Sequence, residues 1–159
     1  KILAIADIHH GQAFETKKSV SALALLDRFV RHANQTKPDF IVDLGDRIND
    51  VDQRTDYLLM QEVAEKFKQI SIQREHVLGN HDVAFLSSKD NETLLNAPVE
   101  SRSFIMRSWH FIFGHPTHNI LPNLVFLRML KQLIGWKLRL KNTRDQPLFF
   151  AMFHKLLEI

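Results

Sequence analysis

A chain of 159 residues, 45% hydrophobic and 25% charged, has the make-up of a folded globular protein able to bury roughly two thirds of its unfolded surface, and is read as one domain over 1–159. Cysteine is absent, which excludes disulfides and thiolate ligands; no apolar run approaches the ~20 residues of a membrane span, and the opening KILAIADIHHG is too short an apolar run for a signal peptide, so a cytoplasmic protein without membrane contact is expected. The net charge of +3 hides an asymmetry, with 12 Lys and Arg against 16 Asp and Glu in residues 1–100, and 9 against 2 in residues 101–159.

The first element, KILAIA, reads as a short buried strand. After a Gly-containing turn, Val20, Leu23, Ala24, Leu26, Phe29, Val30 and Ala33 recur at helical spacing, with Ser19 as N-cap. KPDFIVDLGD predicts a second buried strand, opened by a proline and closed by a glycine, and an amphipathic helix follows near Asp56 to Lys68. EHVLGNHD supplies a third strand. Beyond Asp82 the pattern weakens: SRSFIMRSWHFIFGH reads as a strand or hairpin, NLVFLRMLKQLIGWKLRLKN as a helix of about five turns, and QPLFFAMFH as a last buried strand ending at His154. Strands alternating with helices predict a parallel sheet covered by helices, with sites at the carboxyl ends of the strands.

Three polar groups fall there. Asp7 and His9 follow the first strand; as alternate residues of an extended strand end they would point one way and converge on a single ion, although the same pair can simply form a turn. Asp46 sits behind a glycine that permits a sharp backbone turn, so its carboxylate is either a bridge between two ions or part of an Asx turn, with Asn49 and Asp50 available to orient it. Asn80 offers a neutral amide oxygen, and His81 beside it can donate a proton. Asp43, inside its strand, reads as a hydrogen-bonded structural carboxylate, His10 as a bystander beside the cleft, and His110 as a strand residue outside the site. His32 and His76 carry no signal.

The three motifs in this order, DIH, GDRIN and GNHD, resemble those of the calcineurin-like metallophosphoesterases over residues 1 to about 82. The resemblance implies an α/β fold of the metallophosphoesterase type, a layered β-sandwich flanked by helices. It implies two divalent ions, with manganese, iron or zinc fitting this cysteine-free donor set: Asp7 and His9 on the first, Asp46 bridging, Asn80 on the second, and His81 contacting the scissile phosphate and assisting the leaving group. The Trp136 segment and the QPLFFAMFH strand are similar to the cyclic-nucleotide-phosphodiesterase-like branch, which assigns His154 to the second ion. A second alignment, with the smaller phosphodiesterases, makes His115 that ligand instead; otherwise His115 and His118 belong to a solvated loop.

The family closes with G-H-x-H, and the sequence ends five residues after His154 without it. The resemblance therefore implies a domain incomplete at its C-terminus. The expected function is hydrolysis of a phosphomonoester or phosphodiester by a water activated between two ions roughly 3.5 to 4 Å apart. The expected partner is a small phosphate-ester substrate; the basic tail alone speaks for nucleic acid. The alternative is a truncated, weak or inactive member acting as a binding or scaffold domain.

Overall fold

The computed structural model describes residues 1–13, 18–106, 109–113 and 149–152. Strand β1 covers Ile2–Ile5, helix α1 Ala22–Thr36, β2 Phe40–Asp43, α2 Gln53–Lys68, β3 Arg74–His76, α3 Ser88–Leu95, β4 Arg102–Met106, β5 Trp109–Phe113 and β6 Phe149–Met152. The chain divides into two compact units, Lys1–Val99 and Glu100–Ile159. The segment read as a helix over 123–142, and His115, His118 and His154, lie outside the described residues.

In the first unit β1, β2 and β3 form a parallel sheet in that order, with Ile2 opposite Phe40 and Ile41 opposite Arg74. The expected parallel sheet with interleaved helices is present. Strand β2 is central, and all four of its residues are buried, as a continuous apolar run in a parallel sheet requires. Among the described residues strand β1, expected to be buried, instead lies at an edge of this sheet, with Ile2 and Ala4 exposed.

The core is built where helical spacing meets the sheet. Leu26, Val30 and Ala33 of α1, Ile41 of β2, and Met60, Val63, Ala64 and Phe67 of α2 pack together, joined by Leu94 and Leu95 of α3. Val20, expected on the buried face of α1, precedes the helix in a single turn of 3-10 helix and is 77% exposed. Ser19 does not cap α1; it is buried, and its hydroxyl accepts a hydrogen bond from Asn49 Nδ2 at 2.8 Å. Lys37 ends the helix in the left-handed conformation, and Pro38 after it prevents continuation. Helix α2 begins three residues before its expected start, capped by Asp52, whose carboxylate accepts from the Thr55 amide.

Helix α3 has no counterpart in the sequence reading, yet it carries a start signal. Ser87 accepts from the Asp90 amide at 3.1 Å, and the Asp90 carboxylate accepts from the Ser87 amide at 2.9 Å, a complete capping box. Ser87→Ala should lower unfolding free energy by about 1 kcal/mol, measurable by denaturant titration; an unchanged midpoint would show that packing of Leu94 and Leu95 alone holds this helix.

In the second unit β4 and β5 pair antiparallel, with Phe104 opposite Phe111, so of the strand or hairpin expected there the paired form is present. Strand β6 joins β5 in parallel, where the last strand was expected. Phe104 stacks on Phe111 and Phe113 at centroid distances of 5.4 and 5.7 Å, and the Arg102 guanidinium lies 5.3 Å from the Phe113 ring. Among the described residues no helix is long and apolar enough to cross a membrane.

Candidate metal centre

Three loops leave the carboxyl ends of β1, β2 and β3, and their backbones hold one another. The amides of Asp7, His9 and His10 donate to the carbonyls of Gly45, Asp46 and Arg47 at 3.1, 3.0 and 2.8 Å, which laces the first loop to the second. The second meets the third through two glycines: a Cβ on Gly45 would lie 2.3 Å from the Gly79 nitrogen, and a Cβ on Gly79 would lie 2.2 Å from Asp46 Oδ1. Only hydrogen fits between them.

The geometry of the first motif differs from the expected one. Strand β1 stops at Ile5, and Asp7 and His9 are not alternate residues of an extended end; both are left-handed, with φ of 54° and 48°. Asp46 is left-handed as well, at 54°. Such backbones are uncommon outside glycine, though Asp and His tolerate them better than most residues, and three of them cluster at one sheet edge. The turns, not the strand pleat, aim these side chains.

His9 is held in one tautomer by a chain of hydrogen bonds. Asn49 Nδ2 donates to the Gln12 carbonyl at 2.9 Å and to Ser19 Oγ at 2.8 Å, so its amide oxygen faces His9 and accepts from Nδ1 at 3.1 Å. With the proton on Nδ1, Nε2 carries the lone pair, and it lies 3.7 Å from Asp7 Oδ1 and 4.0 Å from Asp46 Oδ2. The Asp46 side chain is fully buried, whereas that of Asp7 is 53% exposed. His81 donates its backbone N–H to Asp46 Oδ1 at 3.1 Å, its Nδ1 contacts the Asp50 carboxylate, and its ring meets that of His9 edge-on at 4.8 Å. Ligand atoms of His9, Asp46 and His81 all lie within 4.8 Å of one another. Asn49 and Asp50 therefore serve the two histidines, rather than Asp46 as expected.

Behind the site lies a buried polar network. Arg47 is fully enclosed, its guanidinium donating to Asp43, to Asp82 Oδ2 at 2.7 Å and to the Val77 carbonyl at 2.9 Å. Asp82 also accepts from the amides of Asp46, Arg47 and Gly79 at 2.9, 2.8 and 2.9 Å. Asp43 takes a further bond from His76 Nδ1 at 2.8 Å, in keeping with its expected structural role. Burial pushes the Asp43 carboxyl up, but Arg47 and His76 outweigh it and leave it below the usual range; for Asp82, burial prevails over Arg47 and holds the carboxyl above it.

Burial likewise drives His76 below its ordinary 6.5, against the pull of Asp43. Unfolded chains thus take up a proton at His76 as pH falls through 6.5 while the buried ring stays neutral, so this group destabilises the fold on acidification. Between about pH 7 and 5, wild type should lose unfolding free energy faster than His76→Asn, with a difference of at most ~1.4 kcal/mol per pH unit, the limit for one proton. Parallel curves would contradict the buried neutral state.

Of the residues expected in the site, Asp7, His9, Asp46 and His81 are gathered at one edge. Asn80 is exposed in the same third loop, between Gly79 and His81. His10 stays out: its Nε2 pairs with Glu62 of α2 at 2.7 Å. The sequence reading missed Arg47, His76 and Asp82. Asp82 stood in view as the last letter of GNHD; nothing marked the other two.

The sequence profile of the calcineurin-like phosphoesterases matches residues 1–157. The chain belongs to that family. No match is found among curated proteins. In solved structures, this calcineurin-like phosphoesterase is similar to a dimetal phosphatase from Danio rerio, with a TM-score of 0.61 and 16% identity over 91% of this chain and 53% of that one. It thus spans about half the length of that phosphatase, and the likeness shows the metallophosphoesterase fold. Also similar are a protein of unknown function from Aquifex aeolicus, with a TM-score of 0.46 and 13% identity over 87% of this chain and 73% of that one, and a nuclease from Pseudomonas putida, with 0.43 and 23% over 76% and 57%.

Family membership implies divalent metal ions, and the donor set fits them. Carboxylates at Asp7 and Asp46 supply the charge a divalent ion needs, and the Nε2 lone pair of His9 supplies a neutral ligand of the kind that manganese, iron and zinc accept.

Proposed function

We propose that this chain hydrolyses small phosphomonoesters or phosphodiesters, with Asp7 and His9 holding one divalent ion, Asp46 bridging to a second, and Asn80 on the second together with His154, which lies outside the described residues. The observation that carries this reading is the convergence of His9, Asp46 and His81 within 4.8 Å at the carboxyl edge of the parallel sheet. Manganese, iron and zinc are the proposed ions.

When bound, the ions supply Lewis acidity, lowering the pKa of a water towards neutrality and offsetting charge on the phosphoryl oxygens. The protein's own residues hold and orient. Asp46, anchored by the His81 amide and fully buried, keeps its carboxylate in one orientation. Asn49 keeps the His9 proton on Nδ1, so Nε2 remains a ligand atom. His81, its Nδ1 engaged by Asp50, is left to exchange protons through Nε2, the atom that would donate to a departing alkoxide.

Purified protein with manganese should hydrolyse a chromogenic phosphate ester, and a chelator should stop it. No turnover with manganese, iron or zinc would contradict the proposal. Asn49→Ala frees the His9 ring to take the other tautomer, and should weaken manganese binding about 10- to 100-fold, as loss of a ligand's orienting partner does elsewhere. Titration calorimetry would read this directly, and unchanged affinity would show that the Asn49 bond is incidental.

A further inference from the structure

We propose that Arg47 is a positioning residue that holds the metal-binding loops in register and thereby sets the affinity for divalent ions, without touching ion or substrate. The inference rests on the proposed metal centre.

Arg47 follows Asp46 directly, so any tilt of its backbone turns the Asp46 carboxylate. Its carbonyl accepts from the His10 amide at 2.8 Å, which fixes the first loop. Its own amide donates to Asp82 Oδ1 at 2.8 Å, and its guanidinium reaches Asp82 Oδ2 at 2.7 Å, which fixes the loop bearing Asn80 and His81. The remaining donors grip Asp43 at the end of β2 and the Val77 carbonyl just past β3. One fully buried residue thus links all three loops, and through Asp43 holds them to the end of β2.

A guanidinium suits this task as an ammonium does not. Its planar fork holds three directions at once, whereas lysine is a point charge that satisfies fewer partners in fixed geometry. A buried ion pair is weak evidence of stabilisation, since desolvation offsets much of the attraction. What the fork adds is orientation: the two loops that carry the left-handed Asp7, His9 and Asp46 and the loop after β3 are kept in contact.

The test compares Arg47→Lys, Asp82→Asn and Met60→Ala with wild type, using calorimetric titration of the whole chain with manganese and circular dichroism of the metal-free proteins. Met60 is a fully buried apolar residue of the core that supplies none of the network's hydrogen bonds, and its truncation lowers stability through a cavity. The expected result is a fall in manganese affinity of about 10- to 100-fold in Arg47→Lys and in Asp82→Asn, each folded, with Met60→Ala binding like wild type. The double variant should bind no more weakly than the worse single one, because both break the same link.

Wild-type affinity in both network variants would overturn the proposal, as would an equal loss in Met60→Ala at matched thermal stability. If neither network variant folds, Arg47 is a folding element alone and the positioning role is refuted. Wild type binding no manganese is a separate result, which would remove the metal centre itself.

Discussion

Asp46→Asn is expected to abolish hydrolysis, with kcat/KM falling by roughly a thousandfold or more, the scale at which one preorganised electrostatic group acts in a buried site. The substitution is nearly isosteric. The amide oxygen of asparagine can still accept the His81 N–H that Asp46 Oδ1 accepts at 3.1 Å, so the loops keep their places. What disappears is the negative charge of a fully buried side chain 4.0 Å from His9 Nε2, and with it the bridging ligand proposed for two ions. Circular dichroism should be unchanged while turnover is lost. Equal rates for wild type and variant would remove Asp46 from the mechanism.

Gly79→Ala should disrupt the site severely. The added carbon would lie 2.2 Å from Asp46 Oδ1 and 2.4 Å from the Asp46 nitrogen. Neither neighbour can move cheaply: the nitrogen donates to Asp82 at 2.9 Å, and the carboxylate oxygen accepts from His81. The expected cost is about 3 kcal/mol or more in unfolding free energy, at or above the upper end for overpacking a core. Gly45→Ala meets the Gly79 nitrogen at 2.3 Å from the other side, at a φ of 93° that alanine rarely adopts, and should behave alike. Denaturant titration checks both; a variant within 1 kcal/mol of wild type, a loss below the overpacking range, would mean that the loops do not touch as described.

Both substitutions probe features that the sequence exposes unevenly. The donors were legible because their types and order are constrained by chemistry: a carboxylate and an imidazole after one strand, a carboxylate after the next, an amide and an imidazole after the third. The parallel sheet was legible for a related reason, since short apolar strands alternate with amphipathic helices along the chain. Backbone conformation was not. Asp7, His9 and Asp46 are left-handed, and a residue that tolerates this conformation does not announce when it adopts it.

The second layer of contacts was harder still. Asn49 and Asp50 were expected around Asp46 because they are near it in sequence, yet the turn directs one to His9 and the other to His81. Nothing in the sequence marked Arg47 or His76; enclosure of an arginine needs partners from β2 and from the loop after β3, and such convergence has no local pattern. Helix α3 was missed differently. Its Ser87 to Asp90 capping signal is present in the sequence, but eight residues give too little apolar periodicity to stand out.

The central claim is that His9 and Asp46 are ligands of a divalent ion. Anomalous diffraction at the manganese edge, from crystals grown with manganese, tests it most directly. The predicted result is a peak in contact with His9 Nε2 and the Asp46 carboxylate, lost in crystals of Asp46→Asn. Well-ordered crystals with manganese present and no peak between those two side chains would contradict it.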